Sequence, residues 1–413
     1  MQNPKLTVII PTRERADTLF HTLRTVVEQD YENLEIIVSD NASIDNTEAI
    51  VRSFSDPRLN YINTGQRLGM SENWEFALGH VKGDFVMYLG DDDGLLPEAC
   101  SDVAKIISLT DTKAIIWNKP DYNWPSNKIA PNGLNIKLNY DLVEMDGKIL
   151  LKAVADGRTS YGRLPVIYSG FVAIEKILQI KNKTSRFFHS ITPDVYSGIV
   201  LADALPSYLY SFRPFSINGG SGHSNGLATM TNDDRGKLFF SESRLEINAQ
   251  IPIIRGSIQT HVAEAFLQAQ KVNLLQHYKF NFQRVHKNIF NEVKHLSDPL
   301  RSNGLQVLMG MNIDTSLRKK IENELQNENI EQRSFVNSPQ SENKIINIES
   351  GHLSLNAALF SIQNSYDACI FIGNLLGQYK MPEVTLKANT LSYAISIVRR
   401  KMAVSLKKYL LPF

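Results

Sequence analysis

Short buried strands alternate with amphipathic helices over the first hundred residues, and this alternation restricts the fold more than any other feature. The segment that follows the first strand carries Leu19, Leu23 and Val26 at the three-and-four spacing of a helix buried on one face. Strand and helix in such alternation predict an α/β fold with a mostly parallel sheet and right-handed crossovers. We predict strands at Leu6–Ile10, Glu35–Val38, Leu59–Ile62 and Asp84–Leu89.

Polar residues follow the first, second and fourth of these strands. They are Pro11-Thr12-Arg13, then Ser39-Asp40-Asn41, and finally Gly90 with Asp91, Asp92 and Asp93. Ligands of parallel α/β sheets bind beyond the carboxyl ends of the strands, so we expect these clusters to share one site. The three adjacent carboxylates repel one another, and a hard divalent cation such as Mg²⁺ would relieve that repulsion. A solvated acidic turn that caps the helix starting near Leu96 is the alternative.

Composition limits the classes of protein to which the chain can belong. The 413 residues include 44 Lys and Arg against 43 Asp and Glu, so no overall basic field favours a nucleic-acid partner. Cys100 and Cys369 stand in unrelated contexts and indicate neither a disulfide framework nor a zinc site. No apolar run approaches the roughly 20 residues that span a bilayer, and Leu6–Ile10 is typical of a strand rather than a leader. We therefore expect a cytoplasmic protein.

The chain is long enough for two or three domains. We predict an α/β domain at residues 1–230, a helical extension at 231–302 and a small α/β domain at 303–413. Within the last, we expect strands at Leu305–Met309, Lys344–Ile348 and Ala368–Ile372 and helices at Ser316–Gln326 and Leu353–Ile362. The tail at residues 386–411 mixes basic and apolar residues, which favours either a peripheral membrane contact at the inner face of the membrane or a packed helix with a charged outer side.

The first half of the chain resembles glycosyltransferase family 2, a family of nucleotide-sugar glycosyltransferases with the GT-A fold. Four ordered pieces carry the resemblance. They are Val8-Ile9-Ile10-Pro11-Thr12-Arg13, Glu35-Ile36-Ile37-Val38-Ser39-Asp40-Asn41-Ala42-Ser43-Ile44-Asp45, Gln66-Arg67-Leu68-Gly69, and Gly83-Asp84-Phe85-Val86 through Gly90-Asp91-Asp92-Asp93 to Pro97. The usual family motif is Asp-X-Asp-Asp with a proline four residues later. Counted back from Pro97, its first aspartate is Gly90 here, which leaves open whether Asp91 or Asp93 assists Asp92.

The resemblance implies a metal-dependent transfer of a sugar from a nucleotide diphosphate sugar, with uridine favoured as the base, to a hydroxyl of a saccharide or lipid-linked saccharide. Such a reaction belongs to polysaccharide or glycoconjugate synthesis. Mn²⁺ or Mg²⁺ would be held by Asp92 and Asp93, with His223 as a further ligand. The same resemblance assigns donor binding to Pro11, Thr12, Arg13, Glu14, Asp40, Arg67, Asp91 and Asp92. Asp40 would accept a hydrogen bond from the uracil ring, although a turn-forming role is the simpler alternative.

Inverting members of the family use one carboxylate as general base on the acceptor hydroxyl. Asp194 is the best placed by order along the chain, and Glu175 and Asp203 are the alternatives. A first-turn helix acid, stabilised by the helix dipole, is the competing interpretation of Asp194. His223 follows in a glycine-rich stretch, where a histidine without a catalytic role is equally consistent with the sequence.

Two other nucleotide-binding classes are excluded by the first turn. Pro11-Thr12-Arg13-Glu14-Arg15-Ala16 lacks the Gly-X-Gly-X-X-Gly of dinucleotide-binding dehydrogenases, and it lacks a Walker-type phosphate loop. A non-catalytic protein of GT-A fold that binds nucleotide sugars stays open as the alternative to an enzyme. The sequence does not identify the oligomeric state.

Overall fold

The computed structural model describes residues 3–137, 139–224, 241–326, 346–349 and 352–377. Over these ranges the strands are β1 Leu6–Thr12, β2 Leu34–Asp40, β3 Leu59–Asn63, β4 Phe85–Tyr88, β5 Gly94–Leu95, β6 Ala114–Trp117, β7 Asp121–Asn123, β8 Gly133–Lys137, β9 Leu142–Met145, β10 Gly170–Ala173, β11 Tyr208–Ser211, β12 Ser216–Gly220, β13 Ile346–Glu349 and β14 His352–Asn356. The helices are α1 Ala16–Val27, α2 Thr47–Arg52, α3 Met70–Leu78, α4 Ala99–Thr110, α5 Gly147–Ala155, α6 Ile174–Thr184, α7 Pro193–Ala204, α8 Ile258–Lys271, α9 Phe282–Val293, α10 Leu300–Met309, α11 Thr315–Gln326 and α12 Ser365–Gly377.

A central eight-stranded sheet in the order β3-β2-β1-β4-β10-β6-β11-β9 organises the first domain. The strands β3, β2, β1 and β4 run parallel, with Thr12 of β1 paired to Asp40 of β2. The second half is mixed, because β10 is antiparallel to both β4 and β6 and β9 is antiparallel to β11. The α/β fold and the four predicted strands are confirmed. The carboxyl ends of β1, β2 and β4 consequently lie at one edge of the sheet.

Hydrophobic side chains cover both faces of this sheet. Alternate residues of β1 separate onto the two faces, with Ile9 in one core and Val8 and Ile10 in the other, and all three are fully buried. Because both faces of β1 are covered, its central residues Val8–Ile10 are apolar in succession rather than alternating with polar residues. A strand buried in this way is a rigid support for the turn at its end.

A second, six-stranded sheet in the order β13-β14-β8-β7-β12-β5 lies next to the aspartate cluster. Its β5 follows Asp93 directly and pairs with β12, which leads into the glycine-rich stretch. The two C-terminal strands join this sheet, since β14 pairs with β8 from Gly133 to Lys137. The separate small α/β domain is therefore not confirmed, because these strands extend a sheet that the first domain begins.

The helical extension contains α8 to α11, and its core includes Ile254, Leu267, Ile289 and Leu308. The predicted helix at Ser316–Gln326 is confirmed as α11. The predicted strand at Leu305–Met309 is wrong, because these residues form the second half of α10. A five-residue apolar run fits a strand or one side of a buried helix equally well, and the packing in the extension decides for the helix.

Two further predictions near the C-terminus are also wrong. Residues 353–356 are a strand rather than the start of a helix, and Leu353 and Leu355 are buried while the residues between and beside them are not. Ala368–Ile372 belongs to the helix α12, whose buried Ala368, Cys369 and Ile372 follow helical spacing. The amphipathic tail at residues 386–411 lies outside the described residues. Among the described residues, no helix has the length and apolar character needed to cross a membrane.

Candidate active site

One cavity of about 720 Å³ lies at the carboxyl edge of the parallel strands. Its lining residues come from the turn after β1 (the first turn), from the aspartate cluster after β4, from the glycine-rich stretch and from the start of α7. The helical extension adds to its wall immediately before and within α8. Of the predicted site residues, those that line this cavity are Pro11, Thr12, Arg13, Glu14, Arg67, Asp91, Asp92, Asp194 and His223. Asp40 and Asp93 do not line it.

Asp91 is held by two groups of the first turn. The hydroxyl of Thr12 donates to its Oδ2 at 2.8 Å, and Nη1 of Arg15 lies 2.7 Å from its Oδ1. Burial raises the pKa of Asp91, and the guanidinium of Arg15 partly offsets this increase. Arg15 was not predicted from the sequence. The signal available was a second arginine in the turn after β1, at a place where only Arg13 matched the family pattern.

Asp92 is bound by the turn that follows β12. Its Oδ2 accepts hydrogen bonds from the hydroxyls of Ser221 and Ser224 at 2.6 Å each, and from the amide of Ser221 at 3.3 Å. The backbone of Gly219 passes so close that a Cβ there would lie 1.8 Å from the carbonyl oxygen of Asp92. Only glycine permits this approach, which joins the glycine-rich stretch to the aspartate cluster.

Asp93 points away from the cavity into a buried polar cluster. Its Oδ1 accepts the amide of Gly219 at 2.6 Å, and its Oδ2 lies 3.9 Å from Nζ of Lys119. Burial raises the pKa of Asp93, an effect that Lys119 counteracts. The Lys119 ammonium also lies 3.7 Å from the centroid of the Tyr168 ring. Asp93 therefore has a largely buried cation, Lys119, within 3.9 Å of its carboxylate.

The same cluster explains why glycine replaces the first aspartate of the family motif. A Cβ on Gly90 would lie 2.6 Å from the hydroxyl oxygen of Tyr168 and 3.0 Å from Oδ2 of Asp93. The space that an aspartate would need is filled by this tyrosine. Tyr168 also lines the cavity, where its ring lies 6.2 Å from that of Trp74.

The chemistry of the donor set fits a divalent cation at Asp92 rather than at the full predicted set. No three Asp, Glu, His or Cys side chains among the described residues are grouped as a metal site. Asp92 nevertheless lines the cavity, and the hydrogen bonds given above for its carboxylate are all to Oδ2. Mg²⁺ is often bound through one or two carboxylates together with substrate phosphates, so a single carboxylate such as Asp92 would be compatible with a cation bound mainly by the donor. Asp92, Asp93 and His223 as ligands all stay predictions.

His223 lies at the mouth of the cavity in the turn after β12. Its carbonyl oxygen accepts a hydrogen bond from Nη2 of Arg15, which also pairs with Asp91. Gly219 and Gly220 lie within β12, so the loop proper begins at Ser221. The Arg15 side chain thus connects the first turn, the aspartate cluster and this loop.

Asp40 occupies the end of β2, but its carboxylate is engaged in the local turn. Its Oδ1 accepts the amide of Ser43 at 2.9 Å, and its Oδ2 accepts the hydroxyl of Tyr61 at 2.6 Å. Asp40 is 1% exposed. These contacts match the turn-forming alternative, while the next residue, Asn41, lines the cavity. A direct contact of Asp40 with the base stays a prediction.

Ion pairs surround the first turn at the cavity rim. Arg67 binds Glu14, with Nη2 2.8 Å from Oε1, and Arg13 binds Glu242 of the segment that precedes α8. Arg67 is half exposed, so its pairing with Glu14 is readily exchanged for another anion. Arg13 and Arg67 both line the cavity, and each is paired with a carboxylate there.

Asp194 stands in the first turn of α7, directly after the N-terminal Pro193. It lines the cavity, and burial raises the pKa of its carboxyl, which brings this group closer to the range useful for a general base. The two alternatives lie elsewhere. Glu175 is exposed beside Lys113, and Asp203 binds the hydroxyl of Tyr278.

Comparison with known proteins finds similarity in the first part of the chain. Residues 7–163 match the family model described as Glycosyl transferase family 2, which confirms the resemblance for this part of the chain. The GalNAc(5)-diNAcBac-PP-undecaprenol beta-1,3-glucosyltransferase of Campylobacter jejuni is 40% identical over 101 residues, or 24% of this chain and 33% of that protein. The UDP-Glc:alpha-D-GlcNAc-diphosphoundecaprenol beta-1,3-glucosyltransferase WfaP of Escherichia coli is 31% identical over 88 residues, or 21% of this chain and 35% of that protein.

These matches therefore span about a third of the length of the curated relatives. Among solved structures, S. aureus TarS 1–349 is 14% identical with a TM-score of 0.41, covering 78% of this chain and 88% of that one. A similarity of that size supports no conclusion about the activity of this chain.

Proposed function

We propose that this chain, whose residues 7–163 belong to glycosyl transferase family 2, is an inverting glycosyltransferase that uses a nucleotide diphosphate sugar. The observation that carries the proposal is the single cavity that contains Asp92, the first turn and Asp194. A transferase needs a group for the leaving diphosphate and a base for the acceptor hydroxyl in one water-excluding site. We favour uridine as the base of the donor, as the family pattern does.

The donor half of the reaction would use the first turn and the aspartate cluster. Arg13 and Arg67 at the rim would exchange their carboxylate partners for diphosphate oxygens, to which guanidinium groups bind strongly. Asp92 would hold Mn²⁺ or Mg²⁺, which as a Lewis acid stabilises the negative charge that develops on the leaving phosphate. Arg15 stays paired with Asp91, and this pair keeps the loop after β12 beside the donor.

The acceptor half of the reaction would use Asp194. Its carboxylate would take the proton from the acceptor hydroxyl while that oxygen attacks the anomeric carbon of the donor sugar. Tyr161 and Tyr168 line the same cavity, and their aromatic rings would supply apolar surface against which a sugar ring can pack. Both relatives are named for transfer to saccharides on an undecaprenol carrier, which supports a lipid-linked saccharide as acceptor and a place of action at the inner face of the membrane.

Nucleotide release from a panel of nucleotide sugars, measured with and without Mn²⁺, tests this function. We expect release from one uridine diphosphate sugar that depends on both a divalent cation and a saccharide acceptor. Binding of the donor without any release or transfer would instead support the non-catalytic alternative. The Asp194→Asn variant is the matched control, because it should bind the donor and fail to transfer.

A further inference from the structure

A buried hydrogen-bond network joins helix α8 of the extension to the segment that precedes Asp194. The hydroxyl of Ser190 donates to Oε2 of Glu264 at 2.5 Å, although the two residues are 74 positions apart. The hydroxyl of Ser71 in α3 donates to the carbonyl oxygen of Ser190 at 2.5 Å. Ser190 and Glu264 are 0% exposed. Helices α3 and α8 therefore both hydrogen-bond to Ser190.

Glu264 is itself rigidly supported. Its Oε1 accepts the side-chain amide of Gln268 at 2.8 Å, and that amide also donates to the backbone carbonyl of Glu246. Helix α8 packs into two cores at once, with Phe266 buried in the core of the first domain and Leu267 in the core of the extension. A carboxylate on such a helix has little freedom to move with respect to the sheet.

Ser190 transmits this restraint to the start of α7. Its Oγ accepts the amide of Thr192 at 3.2 Å and lies 3.2 Å from the hydroxyl oxygen of the same threonine. Thr192 immediately precedes α7, and Asp194 lies in the first turn of that helix. Both Thr192 and Asp194 line the cavity. The hydrogen bonds therefore run from the extension to Thr192, and Pro193 is the one residue between Thr192 and the proposed base.

We propose that Glu264 is a positioning residue, which acts through Ser190 to fix the direction of the Asp194 carboxylate. The proposal rests on the function proposed for Asp194 and makes the helical extension part of the active site. The extension also supplies Gly256, Ser257, Ile258 and His261 to the cavity wall. A displacement of about 1 Å at a reacting group can reduce a rate by roughly 10²-fold. The rate gained by holding the base in position can therefore offset the free-energy cost of burying Ser190 and Glu264.

The test compares Ser190→Ala with a matched control, Thr7→Val. Thr7 donates its hydroxyl to Oε2 of Glu35 at 2.8 Å, and both residues are buried at the opposite edge of the central sheet. Each variant removes a buried hydroxyl–carboxylate hydrogen bond, and Ser190→Ala also removes the acceptor of the Thr192 amide. We therefore expect both variants to lose melting temperature, with the larger loss in Ser190→Ala. We expect Ser190→Ala to lower kcat for sugar transfer by about 10- to 10²-fold with an unchanged KM for the donor, while Thr7→Val keeps kcat.

A second variant, Glu264→Met, checks that the effect passes through this pair. If Ser190 acts through Glu264, the double variant should lose no more kcat than the more severe single variant, because coupled residues are not additive. Ser190→Ala with the kcat of Thr7→Val, or with kcat and donor affinity falling together, would overturn the positioning role. A wild-type protein that transfers no sugar would overturn the proposed function itself, which is a different result.

Discussion

Replacing Arg15 by methionine should destabilise the folded protein strongly, because it leaves the carboxylate of Asp91 buried without its cation. Nη1 of Arg15 lies 2.7 Å from Oδ1 of Asp91, and the two side chains are only 15% and 3% exposed. Both exposed fractions are far below those of a surface ion pair, so solvent screens the attraction between the two charges only a little. Removing one partner of a buried ion pair costs roughly 3–5 kcal/mol of unfolding free energy. At about 2–4 °C per kcal/mol for a domain of 150–250 residues, Tm should fall by roughly 6–20 °C.

The loss of stability in Arg15→Met should also depend on pH, and the titration of Asp91 determines the direction of this dependence. Burial raises the pKa of this carboxyl in the folded protein, and without Arg15 the pKa should rise further. A carboxyl whose folded-state pKa exceeds its unfolded value binds a proton more tightly when folded, so stability falls as pH rises between the two values. The difference in Tm between Arg15→Met and wild type should therefore be larger at about pH 8 than at about pH 5.

Thermal unfolding followed by circular dichroism at both pH values measures this prediction. Arg52→Met is the control, because Arg52 and its partner Glu48 are 67% and 54% exposed and their separation should leave Tm nearly unchanged. Adding Asp91→Asn to Arg15→Met should recover part of the lost stability by removing the buried charge. A variant with wild-type Tm, or a loss that is identical at both pH values, would refute the role assigned to the ion pair.

Three further predictions concern ligands and turnover. Asp92→Ala should abolish the part of the nucleotide affinity that depends on Mn²⁺, and calorimetry that finds it intact would contradict the metal site. Asp40→Ala should weaken nucleotide binding even without metal, whereas a turn-forming role predicts a lower Tm with affinity unchanged. Asp194→Asn should lower transfer by about 10²–10⁴-fold at constant donor affinity, and near-normal transfer by the folded variant would remove Asp194 from the mechanism.

The sequence alone was sufficient for the parallel half of the central sheet and for placing three polar clusters at one edge of it. Each strand from β1 to β4 is a short apolar run that ends in polar residues, and parallel strands bring such ends to one edge. The start of α7 was equally predictable, because Pro193 is favoured in the first turn of a helix. These features depend on local pattern and chain direction, which a sequence contains in full.

Local sequence pattern did not determine whether a short apolar segment forms a helix or a strand. Leu305–Met309 is helical and residues 353–356 are extended because of the cores against which they pack. The strand at residues 353–356 could have been predicted from the sequence, since Leu353 and Leu355 alternate with polar residues. Periodicity over five residues rarely separates the two structures, so packing between distant parts of the chain makes the decision.

Only the tertiary structure determines which residue each of the three aspartates binds. Asp91, Asp92 and Asp93 are adjacent in sequence, yet they bind Arg15, Ser221 and Lys119 respectively, at separations of up to 129 positions. The link from Glu264 to Ser190 spans 74 positions and has no signature in either segment. Sequence patterns reveal where polar groups cluster along the chain, whereas the partner of each buried charge depends on long-range contacts that exist only in the folded protein.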